Sequence, residues 1–412
     1  MIPKEGWTPE FPPELVALFR EEGLEVAGIA PAEPAPESAE EYGRWIAEGK
    51  HGSMGYLAEH APMKFHPDTL LPGCRSIIVA ALNYYQEASW RRADNLAAPA
   101  RGRASNAPQY APADRDSADE PAPLGPSNDP ASRPAAGRIG HSNHATAGRI
   151  ARYAWGRDYH KVLGKRLRRI VRKLGEQFPG ESFRSFTDAV PLAERYYAER
   201  AAIAFTAKNT LSISSDFGSW FLIGEILSTK HFPSSEDARD RHGACPTNCT
   251  RCIDICPTGA LYAPHRIDAS KCISYLTIEH KGEIPVELRP KMGNWLFGCD
   301  LCQEVCPLNV RAQQTGVSDF LTVKAGESLE LREVLEIEND DEYTRRFAGS
   351  PLMRAKRRGL LRNACIAAAN TGAREILPLL RRRAADADPI IASHAQWAVE
   401  QLEGGGGETA DG

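Results

Sequence analysis

The hydrophobic pattern changes period several times along the chain. Between about residues 12 and 87 helical and strand-like stretches alternate. Pro13–Glu22 puts Leu15, Leu18 and Phe19 on one side of a helix, whereas Leu24–Ile29 and Ser76–Tyr84 are short, apolar and strand-like. From about 87 to 147 the aliphatic residues almost vanish, leaving Ala, Pro, Ser, Asn, Asp and Arg. Such a stretch cannot bury enough surface to offset its chain entropy, so it is expected to be a disordered insertion, with order resuming at Arg149. Tyr159–Leu174 then carries Leu163, Leu167, Ile170 and Leu174 on one helical stripe, with Lys161, Lys165, Arg166, Arg168, Arg169, Arg172 and Lys173 on the other faces. Strands are expected at Ser182–Asp188, Thr210–Ser214 and Ser219–Leu227, with a helix over Pro191–Ala202. Leu352–Leu402 reads as three helices separated by Asn370-Thr371-Gly372 and by Asp386–Pro389. This loop chemistry suggests HEAT-like repeats. One and a half repeats cannot bury a core alone, so the module should dock on the segment before it. The Gly404–Gly407 run and the acidic end read as a flexible tail.

Eight of the ten cysteines interrupt this pattern in one window: Cys245, Cys249, Cys252 and Cys256-Pro257, then Cys272, then Cys299, Cys302 and Cys306-Pro307. Two C-x2-C-x3-C-P runs are the ligand pattern of a protein that holds two [4Fe–4S] clusters, the last cysteine of each run serving the other cluster. That rule assigns Cys245, Cys249, Cys252 and Cys306 to one cluster, and Cys256, Cys272, Cys299 and Cys302 to the second. The proline after each last cysteine removes a backbone donor and turns the chain away. One gap departs from the ferredoxin pattern, because three residues separate Cys245 from Cys249. His242, just upstream, is the alternative ligand. A disulfide framework does not suit a chain of 412 residues with thiols at metal-ligand spacing. Zinc rarely uses the repeated C-x3-C-P ending. Cys74 and Cys365 lie outside the pattern in apolar surroundings and read as buried small hydrophobes.

Length allows two or three domains, and the 42% hydrophobic content supports ordinary cores. No apolar run approaches a membrane span, and Met1-Ile2-Pro3-Lys4-Glu5 reads as neither a signal peptide nor a twin-arginine leader. Clusters and free thiols point to the cytoplasm. A net charge of −4 does not advertise a nucleic-acid binder, so that case rests on local basic clusters.

The residues around the cysteines carry a family resemblance. FTDAVPLAERYYAERAAIAFTAKNTLSIS (186–214), GSWFLIGEIL (218–227), CISYLTIEHKG (272–282) and NWLFGCDLCQEVCPLN (294–309) resemble the epoxyqueuosine reductases. RYAWGRDYH (152–160) and GLLRNACIAAANTG (359–372) agree with them. The resemblance spans nearly the whole chain except the 87–147 insertion and the extreme tail. It implies a multidomain α+β protein: an N-terminal α/β cobalamin-binding domain (1–231), a ferredoxin-like domain with two [4Fe–4S] clusters (232–312), a linker and HEAT-like helical module (313–402) and a tail (403–412). It implies removal of the epoxide oxygen from epoxyqueuosine at the wobble position of a tRNA anticodon, the last step of queuosine synthesis. The implied partners are tRNA and an external ferredoxin- or flavodoxin-like electron donor; no membrane is involved. Electrons would pass through the clusters to a base-off cobalamin.

On this resemblance Asp188 is the proton donor. A carboxyl at a strand end followed by small and apolar residues could be desolvated enough to stay protonated. Read without the family, Asp188 is a turn or cap residue ahead of the helix that Pro191 opens. The family pattern also places cobalamin contacts at Lys64, Asp188, Asn209, Ser212, Ile223, Ser274 and Asp300. Lys64 stands where an Arg is usual, keeping the cation without the planar fork. Arg195, Lys281, Arg357 and Arg358 are the candidate RNA contacts, with Arg354, Lys356 and Arg362 nearby and Arg381–Arg383 as a weaker run. The rival readings are a corrinoid reductive dehalogenase, a plain iron–sulfur electron carrier, and an RNA-binding module with a structural cluster.

Overall fold

The computed structural model describes residues 6–7, 11–24, 26–89, 146–188 and 190–404. The expected insertion lies outside the described residues except at its margins. At its far margin order begins earlier than expected, because Ala147 already opens a strand. Met1–Gln86 and Ala145–Gly412 form one compact unit.

At the centre of this unit is a five-stranded sheet built from β1 (Gly6–Trp7), β2 (Val26–Pro31), β3 (Ser76–Asn83), β5 (Phe183–Phe186) and β8 (Phe221–Ser228), in the order β1-β2-β3-β8-β5. Only β1 and β2 run parallel; every other neighbour is antiparallel. The alternation of helix and strand near the N-terminus therefore does not make a parallel α/β sheet.

The strands are apolar on both sides because both faces are covered. Ile78, Ala80, Leu82 and Ile226 face the Pro13–Glu21 and Tyr159–Gln177 helices, through Leu15, Phe19, Leu163, Leu167, Ile170 and Leu174. Ile77, Val79, Ala81, Phe221 and Leu227 face the Glu194–Arg200 helix through Tyr197, Ala198 and Ala201. Gly224 sets the spacing on the first face. A Cβ there would lie 2.7 Å from Leu167 Cδ1, so only glycine lets the long helix approach the sheet.

The charged faces of the Tyr159–Gln177 helix are largely spent locally. Arg169 pairs with Glu22, Lys173 with Glu21, and Arg166 donates to the Glu22 carbonyl. The three middle expectations also shorten: the strand after Ser182 is Phe183–Phe186, the Thr210–Ser214 strand shrinks to β7 (Ser212–Ile213), and the Pro191 helix starts only at Glu194.

A second sheet crosses the expected domain limits. β4 (Ala147–Ile150) lies between β11 (Trp295–Phe297), from the cysteine-rich part, and β12 (Ser328–Glu330), from the following linker. A buried ion cluster ties the same segments together. Arg152, wholly inaccessible, donates to Asp300 at 3.3 Å and Glu304 at 2.8 Å, and stacks 4.7 Å above Trp220.

The three C-terminal helices, Lys356–Thr371, Leu377–Ala384 and Pro389–Gly404, appear as expected. Gly372 ends the first in the left-handed conformation (φ 70°). This module docks on the cysteine-rich part, as its small core requires. Asn363 Nδ2 donates to the carbonyls of Thr277 (3.0 Å) and Leu296 (2.9 Å). Arg362, fully buried, donates to the carbonyls of Leu276, His280 and Gly282. Arg362 is thus an internal tie and not an RNA contact. Cys365 is buried as expected, while Cys74 is only half-buried. Among the described residues no helix is long and apolar enough to cross a membrane.

Candidate active site and cysteine loops

The two cysteine runs fold into matching devices. Each places its middle cysteine on a single-turn helix, Arg251–Asp254 for Cys252 and Leu301–Glu304 for Cys302, and then turns away at Cys256-Pro257 or Cys306-Pro307. Cys245, Cys249, Cys252 and Cys306 line one pocket together with Lys208, Asn209, Arg251 and Leu308. Among the described residues no three His, Cys, Asp or Glu side chains converge as a single ion would require; the thiols form the walls of a space instead.

The second set gathers next to the first. Burial raises the Cys302 thiol well above its usual value, with Cys272, Cys256 and Cys252 as charged neighbours. Burial does the same to Cys299, whose thiol neighbours are Cys302 and Cys272. Cys252, pushed up to about 11 by burial, has Cys245, Cys306 and Cys249 as its neighbours. The thiols therefore sort into the two crossed sets, with Cys252 and Cys302 at their boundary. Four thiols around the first pocket, and four neighbouring thiols in the second set, suit cubanes, which also deprotonate their ligands. Backbone amides of Ser274 and Tyr275 face the Cys272 sulfur, and the Lys208 amide lies 3.4 Å from Cys245 Sγ.

His242 is otherwise engaged. Its Nδ1 accepts from the Ser215 amide at 3.0 Å, and its Nε2 lies 3.0 Å from the Ala202 carbonyl. Both ring nitrogens are used, which leaves Cys245 as the fourth wall of the first pocket.

Asp188 follows β5 with φ +48°, a backbone region that Asp tolerates better than most residues. Its carboxylate accepts a 2.6 Å hydrogen bond from the Tyr159 hydroxyl and lies 3.7 Å from His160 Nε2. Its amide donates to Glu194 Oε1 at 2.8 Å. The Glu194–Arg200 helix has no side-chain cap, so Asp188 is not the cap that the local pattern allowed. Asp188 keeps 57% of its side chain accessible, so its carboxylate meets solvent while Tyr159 and His160 hold it.

The expected protonation of Asp188 is corrected. Burial pushes its carboxyl up, but the His160 and Tyr159 hydrogen bonds and the charge of His160 outweigh this and hold it below the usual range. The proton resides on its neighbours. Hydrogen bonds to Asp158 and Asp188 raise the His160 imidazole to about 9. Burial and the Asp188 charge raise Glu194 to about 7. Burial raises Glu225, fully inaccessible and with no hydrogen-bond partner for either oxygen, well above the ordinary range, with Glu194 and Asp188 adding to the effect.

The other expected site residues fall into two groups. Lys64 joins the Asp188 group: burial lowers its ammonium, and Glu194, Arg195, Asp188 and Glu225 surround it. Arg195 feels the charges of Glu194 and Asp188 and donates to the Thr210 carbonyl. Ile223 lies on β8 two residues before Glu225. Asn209, Ser212 and Ser274 lie toward the cysteines; Asn209 reaches the Cys302 carbonyl at 3.5 Å, and Ser212 Oγ is buried without a partner. Asp300 departs from expectation. Its carboxylate is buried, with Oδ2 accepting from the Arg152 amide (2.8 Å) and guanidinium (3.3 Å) and Oδ1 from Gln303 Nε2 (3.3 Å), so both oxygens already have protein partners.

Of the basic residues, Lys281 donates to the carbonyls of Ile278 (2.5 Å) and Arg354 (3.0 Å), and Arg354 acts on Asp188 by its charge. Arg357 and Arg358 lie in a different place, against Asp386 (3.6 Å) and Asp388. Their charge is compensated there, so the structure does not bring them to Asp188. Sequence reasoning passed over Asp158, His160, Glu194 and Glu225. The Asp-Tyr-His start of the long helix was the available signal.

With this geometry in place, comparison with known proteins is specific. A model described as "4Fe-4S double cluster binding domain" matches residues 245–309, and one described as "Epoxyqueuosine reductase QueG, DUF1730" matches residues 128–189, reaching into the stretch taken for an insertion. The chain is 33% identical over 383 residues to the epoxyqueuosine reductase of Pseudomonas aeruginosa, covering 93% of this chain and 92% of that one. It is 31% identical to the Escherichia coli K12 enzyme, over 93% and 86% of the two chains. A crystal structure of epoxyqueuosine reductase with an epoxyqueuosine-modified tRNA-Tyr stem loop superposes with a TM-score of 0.71 at 27% identity, over 94% of this chain and 89% of that one. The Bacillus subtilis enzyme, captured with its catalytic aspartate loop swung out of the active site, gives a TM-score of 0.72 at 25% identity over the same shares. This chain belongs to the epoxyqueuosine reductase family.

Proposed function

We propose that this chain reduces epoxyqueuosine in the tRNA anticodon to queuosine, using two [4Fe–4S] clusters and cobalamin. The observation that carries the reading is that one compact unit holds both crossed thiol sets and an Asp188 carboxylate held by Tyr159 and His160. This occurs in a chain that matches an epoxyqueuosine reductase over 92% of that enzyme's length. Cys245, Cys249, Cys252 and Cys306 hold one cluster, and Cys256, Cys272, Cys299 and Cys302 the other.

The partnerless Ser212 Oγ and Glu225 oxygens suit a ligand rimmed with amides, as a corrinoid is. Lys64, Asn209, Ser212, Ile223 and Ser274 would hold it. When bound, the corrinoid supplies the low-potential metal chemistry that no side chain provides. Asp188 hands protons to the oxygen as it leaves carbon, and its unusual backbone angle aims the carboxylate. Arg195, beside Asp188, and Lys281 meet the anticodon phosphates, and the HEAT-like C-terminal helices support the RNA. A ferredoxin- or flavodoxin-like protein supplies the electrons, and the reaction belongs in the cytoplasm with its tRNA.

The test is anaerobic purification with cobalamin, incubation with epoxyqueuosine-containing tRNA and a strong reductant, and nucleoside analysis. Queuosine should appear. Material with about four irons or fewer per chain, or without corrinoid uptake, would overturn the reading.

A further inference from the structure

Turning an epoxide into an alkene breaks both carbon–oxygen bonds, forms the carbon–carbon π bond and releases water. It consumes two electrons, here from the external donor of the proposed function, and two protons. One carboxyl carries one proton, and Asp188 in this structure rests ionised. The second proton, and the first if Asp188 starts each turnover as an anion, need a source.

The start of the Tyr159–Gln177 helix provides one. Asp158 Oδ1 lies 2.9 Å from His160 Nδ1, and the opposite ring nitrogen, Nε2, lies 3.7 Å from Asp188 Oδ2. The imidazole thus bridges two carboxylates, and 34% of its side chain remains accessible to exchange protons with water. The Tyr159 ring stacks on His160 with centroids 4.0 Å apart, and its hydroxyl makes the 2.6 Å bond to the same Asp188 oxygen.

We propose that Asp158, His160 and Tyr159 form a proton-resupply chain to Asp188, so that both protons needed by the departing oxygen pass through one carboxylate. This rests on the proposed reaction and adds positioning residues to it. His160 does not touch the substrate; it acts through Asp188. The alkoxide formed on ring opening is the strongest base in the site, so protons run toward it, from His160 to Asp188 to oxygen. The ring is then reprotonated from solvent at its accessible edge.

Other charges act on the pair. Glu194, Arg195 and Lys64 come from the second face of the sheet, Glu225 from β8, Lys161 from the helix itself, and Arg354 from the C-terminal part, with the neutral Tyr153 hydroxyl in the turn before the helix. Asp158 holds the imidazolium most strongly, with its largest effect through the 2.9 Å hydrogen bond. Asp158 also accepts from the His160 amide at the helix start, a task that Asn performs equally well. Asp158→Asn therefore removes the charge and keeps the cap.

Two readouts test the chain. Carbethoxylation of His160 by diethyl pyrocarbonate, followed by peptide mass spectrometry, reports the neutral ring without any turnover. Its midpoint should lie near 9 in the unaltered protein and fall toward about 6.5 in Asp158→Asn. In cobalamin-loaded enzyme, His160→Gln should lower kcat roughly 10–100-fold with little change in KM. Asp158→Asn should move the alkaline limb of kcat to lower pH, with the cluster absorption unchanged in both variants. A His160 midpoint near 6.5 in the unaltered protein would overturn the chain, as would His160→Gln turning over at the normal rate with the normal alkaline limb. Absence of deoxygenation in the unaltered enzyme would instead remove the proposed function, leaving the carbethoxylation result to judge the Asp158–His160 pair alone.

Discussion

The cysteine loops and the Asp188 site lie in one compact unit but are specified in opposite ways. Each cysteine loop is local. The first set takes three cysteines from one short run and borrows Cys306; the second takes Cys299 and Cys302 from one run, with Cys256 and Cys272 added, and each run has a single-turn helix and a closing proline. The Asp188 site is assembled from distant segments: the Lys64 turn, the head of the Tyr159–Gln177 helix, the end of β5, the Glu194 helix and β8. Local ligand sets tolerate drift in the surrounding fold. A site built from five segments depends on all of them at once, and its protonation pattern is a property of the assembly.

The largest effect expected is on the local device. Cys302→Ala should drop iron from about eight to about four per chain, read by iron analysis and by the loss of cluster absorption. Retention of all the iron would mean that Cys302 is not a ligand. Asp188→Asn should follow, lowering deoxygenation roughly 10²–10⁴-fold while leaving iron content untouched. If activity and iron fell together, the two regions would not be separable.

Packing between the segments comes next. Leu167 is fully buried against Gly224, and Leu167→Ala should destabilise the protein by about 2–5 kcal/mol in denaturant unfolding. A cost well under about 1 kcal/mol would show that the helix does not set the position of Tyr159 and His160 through this contact.

A pH experiment sharpens the comparison further. The Glu225 carboxyl is raised in the fold, so its share of stability is full below the unfolded value near 4.5 and is lost as the pH rises above it. Glu225→Gln should flatten that decline, by up to about 1.4 kcal/mol per pH unit, in unfolding measured from about pH 4 to 8. An unchanged slope would mean that Glu225 ionises normally. His160, raised in the same way to about 9, stabilises fully below its unfolded value and loses that share as the pH climbs through 9.

The smallest effects concern RNA. Arg195→Ala should weaken binding of a modified stem loop about tenfold, and Arg358→Ala only about twofold, because Asp388 already compensates Arg358. Equal losses would place the C-terminal pair in the RNA interface after all.

Much of this was legible in the sequence. The long helix, the three C-terminal helices with their Gly372 stop, the apolar strands and the eight ligands all announce themselves through spacing, capping and composition within a short window. The errors share a cause. The family pattern made Asp300 a cofactor contact, but Arg152, 148 positions away, and Gln303 already engage its two oxygens. Arg357 and Arg358 looked like a free basic run until Asp386 and Asp388 folded against them. Asp188 looked neutral because its neighbours in sequence are apolar, and is ionised because Tyr159 and His160 reach it from another helix.

The chain alone thus determined which atoms can bind iron, since ligand type and spacing are carried by consecutive residues. Only the tertiary structure decided where the protons sit. A carboxyl's ionisation depends on every charge and every excluded water within several ångströms, and folding brings those neighbours from segments that the sequence keeps far apart.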